Sequence, residues 1–321
     1  MTGKSSPPRR SRRKPTSAAP TQPPLSRLAM DQTMAGLSKI LASQDFQSIE
    51  DANAFIQQLL KTNDGRLPEF EPETPLERAQ VLITQAYDAP SLKRQGELAR
   101  QALAISPDCA DAYCLLAEME PSPPQKLDLF EQAVEAGKRA VGEDAFKQLE
   151  GSFWGFVETR PFMRAYSALA ELSWMFGNRA RALEIYTDML RLNPNDNQGI
   201  RYSLTTCLLE ERTPAAQAAL QNLLDSYPED AGSNWAYSRA LLFFQLAGRP
   251  TEMANQALRD AIAANPHVPP LLLGQKRMPK EPPRYMGLGD VDEAVGYVAF
   301  AWPAWRHTPG AIAWLQGRSK L

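Results

Sequence analysis

The stretch MRAYSALAELSWMFGNRARALEIYTDMLRLNP, residues 163–194, is followed after two residues by NQGIRYSLTTCLLEERTPAAQAALQNLLDSYP, residues 197–228. Each ends on a proline, Pro194 and Pro228, 34 residues apart. Before each proline, apolar side chains recur at helical spacing: Leu183, Tyr186, Met189 and Leu190, then Leu220, Leu223 and Leu224. A proline at the end of such a run stops the helix and lets the chain reverse. Each stretch therefore predicts two antiparallel helices, and the same unit returning at a fixed interval predicts an array of them.

With position one set at Met163, Tyr166, Leu169, Ala170, Ala182, Tyr186 and Pro194 fall on the large, small and helix-ending places of the tetratricopeptide repeat. Met189 departs from it, standing where a second alanine is usual. Small residues let paired helices approach, and large ones fill the gap between neighbouring pairs. An earlier unit closes on Ala99, Ala102, Leu103, Ile105 and Pro107, and the next opens with Tyr113, Leu116 and Ala117 and continues through Phe130 and Ala133. A last unit opens near Ala231 and closes on Leu258, Ala261 and Pro266; the 38 residues from Pro228 to Pro266 predict one longer helix. Thr74-Pro75-Leu76-Glu77, Thr213-Pro214 and Asp290 with Glu293 mark helix starts. Alternating runs of β-branched residues, the mark of strands, are missing. The fold expected is all-α: a right-handed solenoid of tetratricopeptide-like repeats with helical caps.

The register breaks once. Pro107 to Pro194 is 87 residues, which fits no whole number of 34-residue periods, so an insertion is expected near 142–158. The predicted organisation is a basic, proline-rich, disordered tail over 1–30, a helical cap over 31–66, the repeat array over 67–274, and a proline-rich loop with an aromatic helical cap over 275–321. An open solenoid has to cover its last apolar face.

The chain has 321 residues and a formal charge of −2, but residues 1–30 hold Lys4, Arg9, Arg10, Arg12, Arg13, Lys14 and Arg27 and no acid, leaving −9 for the rest. Such an arm attracts anionic partners, and nucleic acid is the rival function it raises. No aromatic residue lies among its arginines to stack on bases. No apolar stretch approaches a membrane span, and no secretory core follows the basic end, so a cytoplasmic protein is expected. Cys109, Cys114 and Cys207 lack the spacing of a zinc site, and His267 and His307 lack partners. No phosphate loop, nucleophile elbow or metal-binding helix motif occurs. Neither a cofactor nor enzymatic activity is expected; the rival enzyme reading places a site around the insertion, where Glu158 and Asp196 would act as an acid–base pair if folded together.

Phe153-Trp154-Gly155, the run Glu158 to Ala165, and the run Leu192 to Tyr202 are longer than the repeat pattern demands. On these strings the chain resembles the suppression-of-tumorigenicity-7 family, and most of all its bacterial tetratricopeptide-like members. The resemblance implies a helical-repeat protein with no catalytic residues to carry over. Where animal members have hydrophobic segments near the N-terminus, this chain has its basic tail.

Function is then expected on the concave face, lined by the first helix of each pair at repeat positions two, five, nine and twelve. Those places hold Arg164, Ser167, Glu171 and Trp174; Gln198, Arg201, Thr205 and Leu208; and Trp235 and Arg239. Earlier units supply Glu77, Gln80, Thr84, Tyr87, Asp111 and Glu118. Of these, Arg164, Glu171, Trp174, Gln198, Arg201, Trp235 and Arg239 are the candidate groove. Arginine forks onto carboxylates and tryptophan gives rigid contact area, so the expected partner is a protein or peptide that is acidic or has a free C-terminal carboxylate. The competing reading is internal: Trp174 plugging the next repeat, and Arg164 or Arg201 pairing with Glu158 or Asp196.

Overall fold

A computed structural model describes residues 27–68, 70–281, 283 and 285–318. The basic tail expected over 1–30 lies outside them up to residue 26. Arg27 already begins a helix. The described residues are helical or irregular, with no strand among them.

Two compact units divide the chain, Met1–Phe70 and Glu71–Leu321. In the first, α1 (Arg27–Ala42) and α2 (Ile49–Thr62) are joined by a short loop. Ser48 caps α2 by accepting the Asp51 N–H, and Phe46 meets Phe55 edge-to-face with centroids 5.5 Å apart. The segment expected as a cap over 31–66 thus holds two helices, the first beginning at Arg27.

Among the described residues the second unit holds five helical hairpins: α3 (Pro75–Tyr87) with α4 (Leu92–Ile105), α5 (Ala110–Met119) with α6 (Pro123–Val141), α8 (Arg160–Met175) with α9 (Arg179–Leu192), α10 (Ile200–Glu211) with α11 (Pro214–Ser226), and α12 (Ser233–Ala247) with α13 (Glu252–Ala264). The second helix of each packs on the first helix of the next, so the hairpins stand side by side as the 34-residue period requires. Local chemistry sets the starts. Thr74 and Glu77 close a capping box, Thr213 caps α11, and Pro75 and Pro214 occupy first-turn positions where their missing N–H is no loss. The longer spacing before Pro266 is met by the 15-residue α12, against 12 residues in α10.

Small residues do the close packing. Ala99, Ala102, Ala117, Ala133, Ala170 and Ala182 are wholly buried. At Gly137 on α6 the backbone of α8 comes so near that a Cβ would stand 2.8 Å from the Phe162 Cα, which excludes any larger residue there without movement. The register break holds α7 (Glu143–Gln148) and two 3-10 turns, Phe153–Gly155 and Val157–Thr159. Its side chains turn inward as an aromatic plug: Phe146 lies 5.0 Å from both Phe153 and Phe162.

After α14 (Val268–Leu272), α15 (Val291–His307) and α16 (Ala311–Arg318) close the C-terminal end. α15 rests on α10 and α12, the first helices of the last two hairpins. α16 reaches the other side of the last hairpin, where the Trp314 indole N–H donates to the Asn255 side chain of α13 at 2.8 Å. Phe244 stacks on Trp314 at 4.7 Å.

Candidate functional site

The first helices of the hairpins carry the predicted inner-face positions, and these fall into two regions of different chemistry. On α3, α5 and α8 they form a polar ladder. Arg164 grips Asp111 through two parallel bonds, Nε to Oδ1 at 3.0 Å and Nη2 to Oδ2 at 2.7 Å, while Gln80 donates to the same carboxylate at 2.7 Å. Bidentate geometry of this kind is the strongest form an arginine–carboxylate pair takes. Asp111 is almost fully buried. Two turns further on, Tyr87 is hydrogen-bonded to Glu118, and burial pushes the Glu118 carboxyl above the usual range, with Asp111 adding to the rise against the opposing Tyr87 bond.

On α12 a different side from that of Trp235 and Arg239, mostly apolar, is taken up by α15, which also rests on α10. Tyr237 meets Tyr297 and Trp305 at 5.6 and 6.4 Å, and the Trp305 indole donates to the Tyr297 oxygen at 2.7 Å. Both ends of α15 are fastened. At its start Glu293 accepts from the Ser233 N–H, the Ser233 hydroxyl and the Asn265 amide at 2.8, 2.7 and 2.9 Å. Burial by itself would raise Glu293, but these donors and the Gly289 N–H bring it below the usual carboxylate range. At its end Gln245 donates to the Thr308 hydroxyl at 2.9 Å, and Arg212 to the His307 carbonyl.

Arg201 sits where α10 begins. Its guanidinium donates to Asp196 at 2.9 Å, to Asp230 at 2.9 Å and to the Tyr202 hydroxyl at 2.7 Å, and faces the rings of Tyr202, Tyr227 and Trp235 at 4.4, 5.1 and 5.8 Å. Asp196 also caps α10, accepting the Ile200 and Arg201 N–H groups at 2.7 and 3.0 Å. A cleft of about 530 Å³ opens beside this cluster, with Tyr227, Asp230 and Leu288 in its walls.

The seven predicted groove residues therefore divide. Arg201 and Trp235 come together, but Trp235 is only 2% exposed, lies beneath the Arg201 cluster and donates to the Leu224 carbonyl. Arg164 belongs to the polar ladder. Trp174 carries Arg179 over its ring at 4.6 Å, and Arg179 continues to Glu210 and Glu211 of α10. Glu171 is exposed, and Gln198 is half-buried with an oxygen that finds no hydrogen bond. Arg239, half-buried on α12, makes no ion pair or hydrogen bond with the described residues.

Sequence reasoning missed Asp230, Tyr202, Tyr227 and the seat of α15. A signal for the first was present: Asp196 and Asp230 are 34 residues apart, as are Arg201 and Trp235, so both pairs occupy equivalent repeat positions.

Other chemistry is sparse. Glu158 is exposed, on the 3-10 turn Val157–Thr159 that follows the Phe153 of the aromatic plug. Burial pushes the Cys109 and Cys207 thiols up to about 12 and Cys114 well above the ordinary thiol value, so all three stay protonated near neutrality. Among the described residues no three His, Cys, Asp or Glu side chains gather as a metal site would need, and no helix is long and apolar enough to cross a membrane.

Side-by-side hairpins of this period make the Glu71–Leu321 unit a tetratricopeptide-like helical-repeat solenoid. In sequence the chain is a relative of the suppressor of tumorigenicity 7 proteins, as the strings at 153–165 and 192–202 implied. It is 30% identical over 239 residues to the human suppressor of tumorigenicity 7 protein-like, covering 68% of this chain and 41% of that protein. The bovine counterpart matches at 30% over 68% of this chain and 42% of its own length. The suppressor of tumorigenicity 7 protein of Macaca fascicularis matches at 27% over 227 residues, 65% of this chain and 42% of that one. The chain thus spans about two-fifths of the relatives it matches. No family model matches it. Among solved structures, YrrB, described as a TPR protein with an unusual peptide-binding site, aligns over 65% of this chain and 91% of its own with 17% identity and a TM-score of 0.42.

Proposed function

We propose that this protein is a non-catalytic interaction scaffold whose first-helix face receives a peptide or helix from a partner protein. One observation carries the reading: against the first helices α10 and α12 the array already holds a helix, α15, fastened at both ends and packed through its small and aromatic side chains. A surface that accepts a helix of its own chain has the shape and spacing for helix-in-groove recognition elsewhere along the same array.

An acidic segment is the partner chemistry this reading favours. Arg164 and Arg201 are committed to Asp111, Asp196 and Asp230, so they act mainly by holding the face in shape. Arg239 keeps its guanidinium unpaired among the described residues and is the cation assigned to a partner carboxylate, with Glu171, Trp174 and Gln198 supplying polar and aromatic contact.

Selection of a displayed peptide library on the immobilised full chain tests this. Enrichment of acidic peptides is expected, with binding at least about tenfold weaker to Arg239→Glu. Selected peptides that bind wild type and Arg239→Glu equally remove Arg239 from the site, and failure to enrich any peptide removes the scaffold reading.

A further inference from the structure

The side of α15 turned away from the array has a pattern that capping does not use. Asp292, Gly296, Ala299, Pro303 and Arg306 are spaced 4, 3, 4 and 3 residues apart. That alternation keeps one stripe of a helix turned toward a second helix along its length. Asp292, Ala299 and Arg306 are exposed, and Gly296 and Pro303 partly so. The three middle positions are small or flat, which permits close helix approach. Phe300, 68% exposed, and Trp302, 40% exposed, stand on either side of the stripe. The Met286 sulfur rests against Gly296, a flexible apolar cover at one end.

The ends of the stripe carry opposite charge. Neither Asp292 nor Arg306 forms an ion pair with a described residue; Arg306 lies over the Trp302 ring at 5.0 Å. Each is seven residues from Ala299. An identical helix laid antiparallel and centred on Ala299 brings Asp292 opposite Arg306 at both ends. Laid parallel, it would set like against like. Self-complementarity under a twofold rotation is the requirement for an isologous dimer.

We infer that the outer stripe of α15 is a docking surface for a second copy of this chain, crossing antiparallel at Ala299, with Phe300 and Trp302 as aromatic anchors and an Asp292–Arg306 pair at each end. The occupant is a second copy rather than an unrelated helix because the charge reverses about one position, with Asp292 and Arg306 each seven residues from Ala299.

Sedimentation velocity of the full chain over a dilution series tests this. A dimer that dissociates on dilution is expected, weakened about tenfold or more by Phe300→Asp. Asp292→Arg and Arg306→Asp should each weaken association, and the double reversal should restore it, because opposite charges again face each other. Thermal unfolding checks that each variant is folded. Ala299→Glu, at an exposed position, replaces Phe300→Asp should the latter fail to fold. A monomer at every concentration, a dimer indifferent to these substitutions, or single reversals that the double reversal does not rescue would overturn the inference.

Discussion

The seat of α15 on α10 and α12 and the inner face on α3, α5 and α8 are made by first helices of the same array, yet one is mostly apolar and the other is polar. Where α15 rests on α10 and α12, Tyr237 is wholly buried against Tyr297 and Trp305. On α3, α5 and α8 the inner-face positions hold Gln80, Asp111 and Arg164, tied to one another by hydrogen bonds. The period dictates where a side chain points, and the residue type dictates whether that place is packed with apolar contacts or held by charge. The comparison can be broken at either region, and the costs should differ in size and in kind.

The largest effect is expected where α15 is seated. Trp305 is wholly buried against Tyr297, Tyr237 and Trp314, so Trp305→Ala should cost about 4 kcal/mol. Urea unfolding followed by circular dichroism measures it; a loss below about 1 kcal/mol would mean that the seat of α15 collapses around the cavity.

In the polar ladder, Arg164→Ala leaves Asp111 buried beside a single remaining amide donor from Gln80, at an expected cost of about 3 kcal/mol. Removing both charges with Arg164→Met and Asp111→Leu should cost less than the single change, because no uncompensated carboxylate remains. A double variant weaker than either single would show that the pair contributes through its attraction rather than by neutralising Asp111.

Gly137→Ala comes next and separates propensity from packing. Alanine should gain up to about 1 kcal/mol in a helix interior, but its Cβ meets the Phe162 backbone. A net loss of about 1–2 kcal/mol is expected from overpacking, and a rise in stability would show that α6 and α8 separate at little cost.

The smallest effect is a pH dependence. Glu293 is held below the usual glutamate range, so its stabilising share is fully present above that range and is lost as pH falls through the lowered value. Glu293→Gln should flatten that part of the stability profile while keeping two of the amide's acceptor contacts. Denaturation midpoints from neutral to mildly acidic pH, compared between the two proteins, are the check. Identical slopes would place the acid sensitivity elsewhere.

The hairpins were legible because their determinants are local: helix-stopping prolines, capping residues, and small residues at a fixed period. The seat of α15 was not legible in the same way. Ser233 and Glu293 are 60 residues apart, and nothing in either neighbourhood specifies the other. Trp235 teaches the same lesson. Its register position matches that of Arg201, but a large apolar ring at that slot sinks beneath the guanidinium instead of lining a wall. The alternative pairing of Arg201 with Asp196 was legible, since the two are five residues apart across a helix start.

Arg201 joins the loop before α10 to the loop before α12 by holding one aspartate from each. In a chain of stacked units stability is passed between neighbours, so a rivet across one junction makes two units yield together. Pulled from its C-terminal end, the array would resist at this joint as a single stiff segment, with the more pliant coils lying on either side of it.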